Sequence, residues 1–483
     1  MQSGFVHNLR VRCKRRVDAF ACVTITLIFT VCLSWSSTSF AQGGDELTNM
    51  ELLGKSIFFD KRLSRPRGQS CASCHDPNAG FASPRSLVNL FGAVIPGAVS
   101  VRAGNRKPPT AAYVTPSENF SIGRFGARGG TFFDGRATGE AISADIFPDS
   151  WTAAHKEKYE EYLGPAADQA MGPFLNPVEQ NLPNAAALCK RVKRARYAYL
   201  WPQVWGEPIQ CSTEEAATLN HKRIAFSVAV WEASHEVMPY NSPRDNAIRD
   251  EIEKYGVATF PLDLYSAEEN LGSELFHDSQ NSCAGFCHLS SGGADGTDLE
   301  ELFVSTSPGY FNIGFPANPF NPFYRMNRVK DNDGNVINPE GRDWRDPGLA
   351  GRTDADFSGD EGKFKVPTLR NVDNRPSPYF VKALGHNGYF KSIESVIHFY
   401  NTRDLKPVCR DRSGEVQRFV ADAAAMYRDC WPEPEINSTN IFDCDGGEFC
   451  KVELAEGETF ETYCDNPDNP CLLYTSDAAD DLA

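Results

Sequence analysis

Two cysteine and histidine clusters constrain this chain more than any other feature: Cys71, Cys74 and His75 in the run SCASCH, and Cys283, Cys287 and His288 in the run SCAGFCH. Two thiols followed at once by an imidazole form the arrangement that attaches a c-type haem, the sulfurs bonding to the macrocycle and the histidine to its iron. Other chemistries fit less well. A zinc site needs four ligands near each copy, and no suitable second pair lies close to either cluster. A thioredoxin-like pair would have no use for the histidine and would sit in a βαβ pattern that is missing here. The second cluster has three residues between its cysteines where the first has two, so alone it is the weaker signal.

A repeat strengthens it. Leu53, Gly54, Phe58 and Asp60 match Leu271, Gly272, Phe276 and Asp278 in order and spacing ahead of the two clusters. Each copy reads as a short helix, with Met50, Leu53 and Ile57 on one face of the first and Leu271 and Leu275 on one face of the second. Ser266 and Glu269 form a capping box just past Pro261, which places a domain boundary near residue 262. The duplication predicts two similar domains.

The first 41 residues read as a secretion signal: Arg10, Arg12, Lys14, Arg15 and Arg16, an apolar run from Ala19 to Trp35, then Ser39, Phe40 and Ala41 as a cleavage site. An uncleaved anchor is the alternative, but the apolar run is at the short limit for a span, and no later stretch is long and apolar enough. Of fifteen cysteines, Cys13, Cys22 and Cys32 leave with the signal. The rest enter an oxidising space, the periplasm, where thiols pair or are consumed. With 483 residues, 41% hydrophobic, the chain can bury full-sized cores, and a net charge of −16 argues against a nucleic-acid partner. The stretch CLLYTSDAAD from Cys471 to Asp480 reads as a translated sequencing adapter, so residues 471–483 are set aside as an artefactual tail; an ordinary polar tail is the alternative.

The distal faces of the two irons decide function. An iron ligated on both faces moves electrons, and one with an open face binds peroxide or oxygen. Ser392 to Tyr400 reads as a helix with Ser392 as N-cap and Glu394 in its first turn. Ile393, Val396, Ile397 and Tyr400 share a face that turns the Tyr400 ring inward; the pattern alone makes it a core tyrosine, with His398 in solvent. In the first half no histidine lies between His75 and His155. There Gln169 and Glu179 flank a loop containing Gly172, Pro173, Asn176 and Pro177. A partly desolvated glutamate so placed can move a proton between the two oxygens of peroxide, although by pattern alone Glu179 is a surface residue.

These residues resemble the bacterial di-haem cytochrome c peroxidases, and more closely their MauG-like branch. The resemblance runs from about Leu52 to Asp404. It includes SCASCHDPNAGF (70–81), FFDGRA (132–137), QAMGPFLNPVEQ (169–180), VPTLRN (366–371) and HNGYFKSIESVIHFYN (386–401). It implies His75 as proximal ligand of a peroxidatic haem whose open face is lined by Gln169, Pro173 and Glu179. His288 would ligate an electron-transfer haem, with Tyr400, fourteen residues after His386, as its second axial ligand. Other members carry Met there and MauG carries Tyr, a hard anionic donor that favours oxidised iron. The family's tryptophan between the haems aligns with Phe133, which is harder to oxidise. The interval from Phe133 to Gln169 is longer than usual, and the histidine that caps the first haem in some members is absent, which predicts an open first site. The family also holds a calcium ion between its domains, for which Asn105 is a candidate ligand and an ordinary loop asparagine the alternative.

Cys189 with Cys211, and Cys409 with Cys430, each enclose a short loop that a disulfide would stabilise by about 3 kcal/mol. Cys444, Cys450 and Cys464 are left unassigned, and Ser307 to Gly362 reads as long loops. The expected architecture is mainly α: two cytochrome c-like haem domains with long loops, residues 42–262 and 263–410, then a cysteine-containing extension over 411–470. The expected activity is reduction of hydrogen peroxide to water with electrons from a small donor protein, a cytochrome c or cupredoxin. The rivals are a MauG-like oxidase acting on a protein or organic substrate, and a di-haem electron carrier without catalysis.

Overall fold

Thr48 opens the first helix, α1 (Asn49–Phe58), through a reciprocal capping box: its hydroxyl accepts from the Glu51 amide, and the Glu51 carboxylate accepts from the Thr48 amide at 2.6 Å. Met50, Leu53 and Ile57 are all buried, as the sequence periodicity predicts. The computed structural model describes residues 46–124, 126–277, 283–289, 303–403, 406–422 and 430–436. The signal segment, Asp278, Cys444, Cys450, Cys464 and the 471–483 tail lie outside the described residues.

Helices α2 (Ser86–Leu90), α3 (Ala153–Glu160), α4 (Pro165–Leu175), α5 (Ala185–Lys193), α6 (Leu200–Trp205) and α7 (Glu214–Glu232) follow, then α8 (Pro243–Tyr255), α9 (Ala267–His277) and α10 (Ile393–Thr402). The described strands are short antiparallel pairs, β1 (Ser121–Gly123) with β2 (Gly126–Arg128) and β3 (Tyr310–Phe311) with β4 (Phe364–Lys365). The chain is therefore mainly helical, and Ser307 to Gly362 is loop and short turns apart from β3. Among the described residues no helix is long and apolar enough to cross a membrane.

The main core surrounds α7, which is buried almost all round, with α1, α4 and α5 laid against it. Gly54 makes the closest of these contacts possible: a Cβ there would lie 1.9 Å from the Ser227 carbonyl oxygen. The long interval between Phe133 and Gln169 folds onto this core. Its Phe147, Trp151 and Tyr159 join Trp205 and Phe226 in an aromatic cluster, and the Asp168 carboxylate accepts from the amides of Gly139, Ala141 and Ile142 at 2.7–3.0 Å. His155 stacks on Trp151 with ring centroids 4.2 Å apart, exposed to solvent. The disulfides Cys189–Cys211 and Cys409–Cys430 are both formed.

The second half differs from its sequence pattern at two helices. In α9 the Ser266–Glu269 capping box forms as expected, but Leu271 is 47% exposed and the buried residues are Gly272, Ser273 and His277. Its packing face is therefore Gly272, Ser273 and His277, not the apolar stripe. In α10 Ser392 caps the Ser395 amide as expected. Its core side, however, is Ser395, Phe399 and Thr402. Nor is His398 in solvent: its ring accepts from Lys406 Nζ at 3.1 Å and lies 5.6 Å from Trp431. Trp431, Val420 and the Cys409–Cys430 disulfide cover this side of α10. The cover comes largely from the C-terminal extension, which no periodicity within α10 could reveal.

The described residues from Leu47 onward form one compact unit, crossed by two buried ion-pair clusters. Arg370 grips Asp245 with two bonds of 2.7 Å and lies over the rings of Tyr113 and Tyr240. Arg106 bonds both oxygens of Asp346 and reaches Asp134 at 2.6 Å.

Candidate functional site

In the first cluster a 3₁₀ turn (Cys71–Ser73) is closed by the Ser70 amide donating to Ser73 Oγ at 2.9 Å, and the His75 amide donates to the Cys71 carbonyl at 2.9 Å. His75 Nδ1 lies 3.2 Å from the Phe81 carbonyl. A carbonyl can only accept, so Nδ1 carries the proton and Nε2 keeps its lone pair. Burial holds this imidazole neutral, below its ordinary 6.5. Both thiols are unpaired, and burial pushes Cys74 up to about 12 and Cys71 higher still.

The second cluster solves its extra residue by widening the turn. Cys283–Cys287 is a single π turn, so the histidine amide reaches the first cysteine's carbonyl across five residues, His288 to Cys283 at 2.8 Å, where the first cluster spans four. The closing bond is the same in both. His288 Nδ1 donates to the Ser305 carbonyl at 3.1 Å, and burial pushes this imidazole down to about 4. Neither Cys283 nor Cys287 is in a disulfide. A neutral imidazole with its Nδ1 held by a carbonyl, beside two thiols outside any disulfide, is the donor set of a covalently attached haem, and it occurs once in each half.

The duplication extends beyond what the sequence reading found. Phe81 and Ser305, which hold the two histidines, both have left-handed backbone, φ 55° and 48°, as do Tyr113 and Asn371 at 59° and 60°. The Pro109 and Pro367 carbonyls give each imidazole a second backbone contact. Thr110 and Thr368, one residue further on, donate to the Gly80 and Val304 carbonyls. The bend Thr131–Ala137 likewise matches Leu384–Phe390: both are closed by an antiparallel bridge and both turn at a glycine, Gly135 and Gly388. Phe133 thus corresponds to His386, and the two rings meet edge to face at 6.4 Å. Their carbonyls are shared reciprocally, the Lys107 amide donating to His386 at 3.0 Å and the Lys365 amide to Phe133 at 2.9 Å. The signal available in the sequence was the recurrence of Lys, any residue, Pro, Thr at 107–110 and 365–368.

The two clusters face different side chains. Tyr400 is 48% exposed, yet its phenol is pushed upward by burial within the fold and by nearby Cys287 and Cys283. It therefore lies on the side of α10 turned toward the second cluster, away from the core. Left to itself the phenol stays protonated, and binding a metal cation is what would ionise it.

Two carboxyls act on the first cluster: Glu232, buried in α7 and pushed up to about 8 by that burial, acts on Cys71, and Glu179 would act on both Cys74 and Cys71. The position of Glu179 is the one set by a loop. Helix α4 continues to Leu175 with Pro173 inside its last turn, so Gly172 and Pro173 are helical and not the loop expected from sequence. A proline so close to a helix end forfeits little. The carbonyls of Pro173 and Phe174 are taken by the amides of Gln180 and Leu182, which folds residues 176–181 back over the helix end. Asn176 fixes this loop, its side chain accepting from the Val178 amide and donating to Glu179 Oε1 at 2.6 Å. Glu179 is half-buried, and burial raises it above its ordinary 4.5 against the opposing pull of Arg136 and Asn176. Gln169 and Pro173 sit one turn apart on α4, and the half-buried Gln169 side chain bonds no described residue. Asn105 offers its carbonyl to Asn321 Nδ2 at 2.7 Å, and no three His, Cys, Asp or Glu gather as a metal cluster among the described residues.

Two clusters with the donor set for a c-type haem, on a mainly helical frame and with unlike side chains facing them, fit a di-haem c-type oxidoreductase. A family model described as di-haem cytochrome c peroxidase matches residues 48–253. Methylamine utilization protein MauG of Paracoccus denitrificans is 30% identical over 351 residues, 72% of this chain and 73% of MauG. Cytochrome-c peroxidase IdrP2 of a Pseudomonas species is 25% identical over 357 residues, 72% of each chain. The crystal structure of the diheme peroxidase BthA from Burkholderia thailandensis superposes with a TM-score of 0.56 at 24% identity, covering 81% of this chain and 83% of BthA, which supports the fold. The chain belongs to the di-haem cytochrome c peroxidase family, and with it to the oxidoreductases.

Proposed function

We propose that this protein is an exported, periplasmic di-haem peroxidase that reduces hydrogen peroxide to water with electrons from a small donor protein, a cytochrome c or cupredoxin. Its haems would occupy two cytochrome c-like domains, residues 42–262 and 263–410, and when bound they supply the redox-active iron. Cys71, Cys74 and His75 would hold one, and Cys283, Cys287, His288 and Tyr400 the other. The observation that carries the reading is the asymmetry of the two clusters: a half-buried carboxyl near the first and a phenol near the second.

The residues then divide the work. Glu179 takes the proton from one oxygen of peroxide and returns it to the other, and its raised affinity for protons suits both steps. Gln169, with no side-chain partner among the described residues, donates its amide to the bound peroxide. Tyr400 closes the second site, so peroxide is confined to the first. Cyanide added to the oxidised protein should alter the spectrum of one haem and leave the other unchanged; no change in either would return the protein to an electron carrier.

A MauG-like oxidase is the second reading, favoured by the 30% identity to MauG and by Tyr400 at the position where MauG carries tyrosine. Phe133 between the clusters weakens it, because phenylalanine is hard to oxidise. Peroxide consumption that requires a reduced donor protein identifies the peroxidase, and consumption that requires an organic or protein substrate identifies the oxidase.

A further inference from the structure

Four lysines are buried or half-buried in the fold, and two of them are fully engaged. Lys382 Nζ donates to the carbonyls of Ala79, Asn371 and Asn374, and Lys391 Nζ to those of Asn89, Phe91 and Gly388. Lys107 and Lys365 are different. Lys107 Nζ has one long contact, 3.5 Å to its neighbour's carbonyl, and lies 5.9 Å from the Phe133 ring centroid. Among the described residues the Lys365 side chain makes no hydrogen bond and neither lysine has a carboxylate within ion-pair distance, although Glu118 acts on Lys365 from further away. A buried ammonium without an anion is expensive, and burial lowers both to about 8.

Their positions are equivalent. Each lysine stands two residues before the proline whose carbonyl contacts a cluster histidine, Pro109 on His75 and Pro367 on His288. Each main-chain amide is fixed by the other half's bend, Lys107 on His386 and Lys365 on Phe133. The repeat thus places a lysine without an ion-pair partner among the described residues at the same position in each half, Lys107 acting on His75 and Lys365 feeling only the more distant Glu118, and each has room for an anion. A c-type haem, attached through its vinyl carbons, brings carboxylates of its own.

We propose that Lys107 and Lys365 are the carboxylate anchors of the two haems, Lys107 pairing with a propionate of the haem on His75 and Lys365 with one of the haem on His288. The assignment rests on the di-haem reading. Each pair places a positive charge beside its own haem and so favours the reduced state of that haem alone.

The test uses the full haem-loaded chain and its Lys107→Met, Lys107→Arg, Lys365→Met and Lys365→Arg variants. Mass spectrometry counts attached haems, and spectroelectrochemistry gives each haem's potential, the two being told apart by their ligand signatures. Lys107→Met should weaken reduction of the His75 haem about tenfold in equilibrium constant, about 59 mV for one electron, and leave the other unchanged. Lys365→Met should do the reverse, with arginine restoring both. Loss of haem in a methionine variant but not in its arginine counterpart would also support the pairing. Unchanged potentials with both haems retained, or equal haem loss in the methionine and arginine variants, would overturn it. A parent chain lacking two attached haems would instead refute the di-haem reading itself.

Discussion

Replacing Glu179 by glutamine tests the proposed chemistry with little disturbance to the loop that carries it. Asn176 donates to Glu179 Oε1 at 2.6 Å, and a glutamine carbonyl accepts the same bond. Residues 176–181 should keep their fold, and stability should change by no more than about 1 kcal/mol. What is lost is the ability to carry a proton. Positioned acid–base groups contribute roughly 10²- to 10⁴-fold, about 3–5 kcal/mol of barrier, so turnover of peroxide with a reduced donor should fall by that factor in Glu179→Gln. The pH profile supplies a second signature. Burial raises Glu179 above 4.5, and the group must be ionised to accept a proton, so kcat/KM should decline on the acid side through a limb centred above that value. The limb should vanish in the variant. Stopped-flow peroxide consumption across pH measures both, and full turnover in Glu179→Gln with the limb intact would remove Glu179 from the mechanism.

Other perturbations have equally definite outcomes. Gly54→Ala should destabilise the fold by about 3 kcal/mol, because the new methyl would lie 1.9 Å from the Ser227 carbonyl oxygen; a thermal melt checks this. Cys189→Ser with Cys211→Ser opens a crosslink with a sequence separation of 22 and should lower stability by about 3 kcal/mol in denaturant titrations. Asp245, although buried, is held below its ordinary 3.8 by bonds to Arg370. Its contribution is therefore full above that value and lost as pH falls through the lower folded-state value, so acid unfolding should be less steep in Asp245→Asn. Tyr400→Met should raise the potential of the second haem alone, since a neutral donor would replace a phenolate; an unchanged potential would exclude Tyr400 as a ligand.

Much of this was legible in the sequence where chemistry and local pattern coincide. Both cysteine–histidine clusters, α1, the Ser266–Glu269 capping box and the two disulfide pairs follow from residue type and spacing, because those features are set by local chemistry. The inward side of α10 was not legible. Its Ile393, Val396, Ile397 and Tyr400 stripe looks like a core face, whereas Phe399 and Thr402 are buried beneath Trp431 from a distant segment. Pro173 was read as a loop residue because proline breaks helices, yet at the last turn of α4 the lost bond is one a helix end lacks anyway. The bend repeat escaped notice because Phe133 and His386 have unlike side chains. Their equivalence lies in backbone dihedrals and bridge register, which residue identity does not report.

That reciprocal sharing of carbonyls has a mechanical consequence. Neither histidine cradle can slide past the other without breaking the main-chain bonds that join the two bends, which would hold the two proposed redox centres at a fixed separation. The rate of internal charge transfer should accordingly follow driving force and temperature and be indifferent to solvent viscosity, since there is no slow relative motion for a thickened medium to impede.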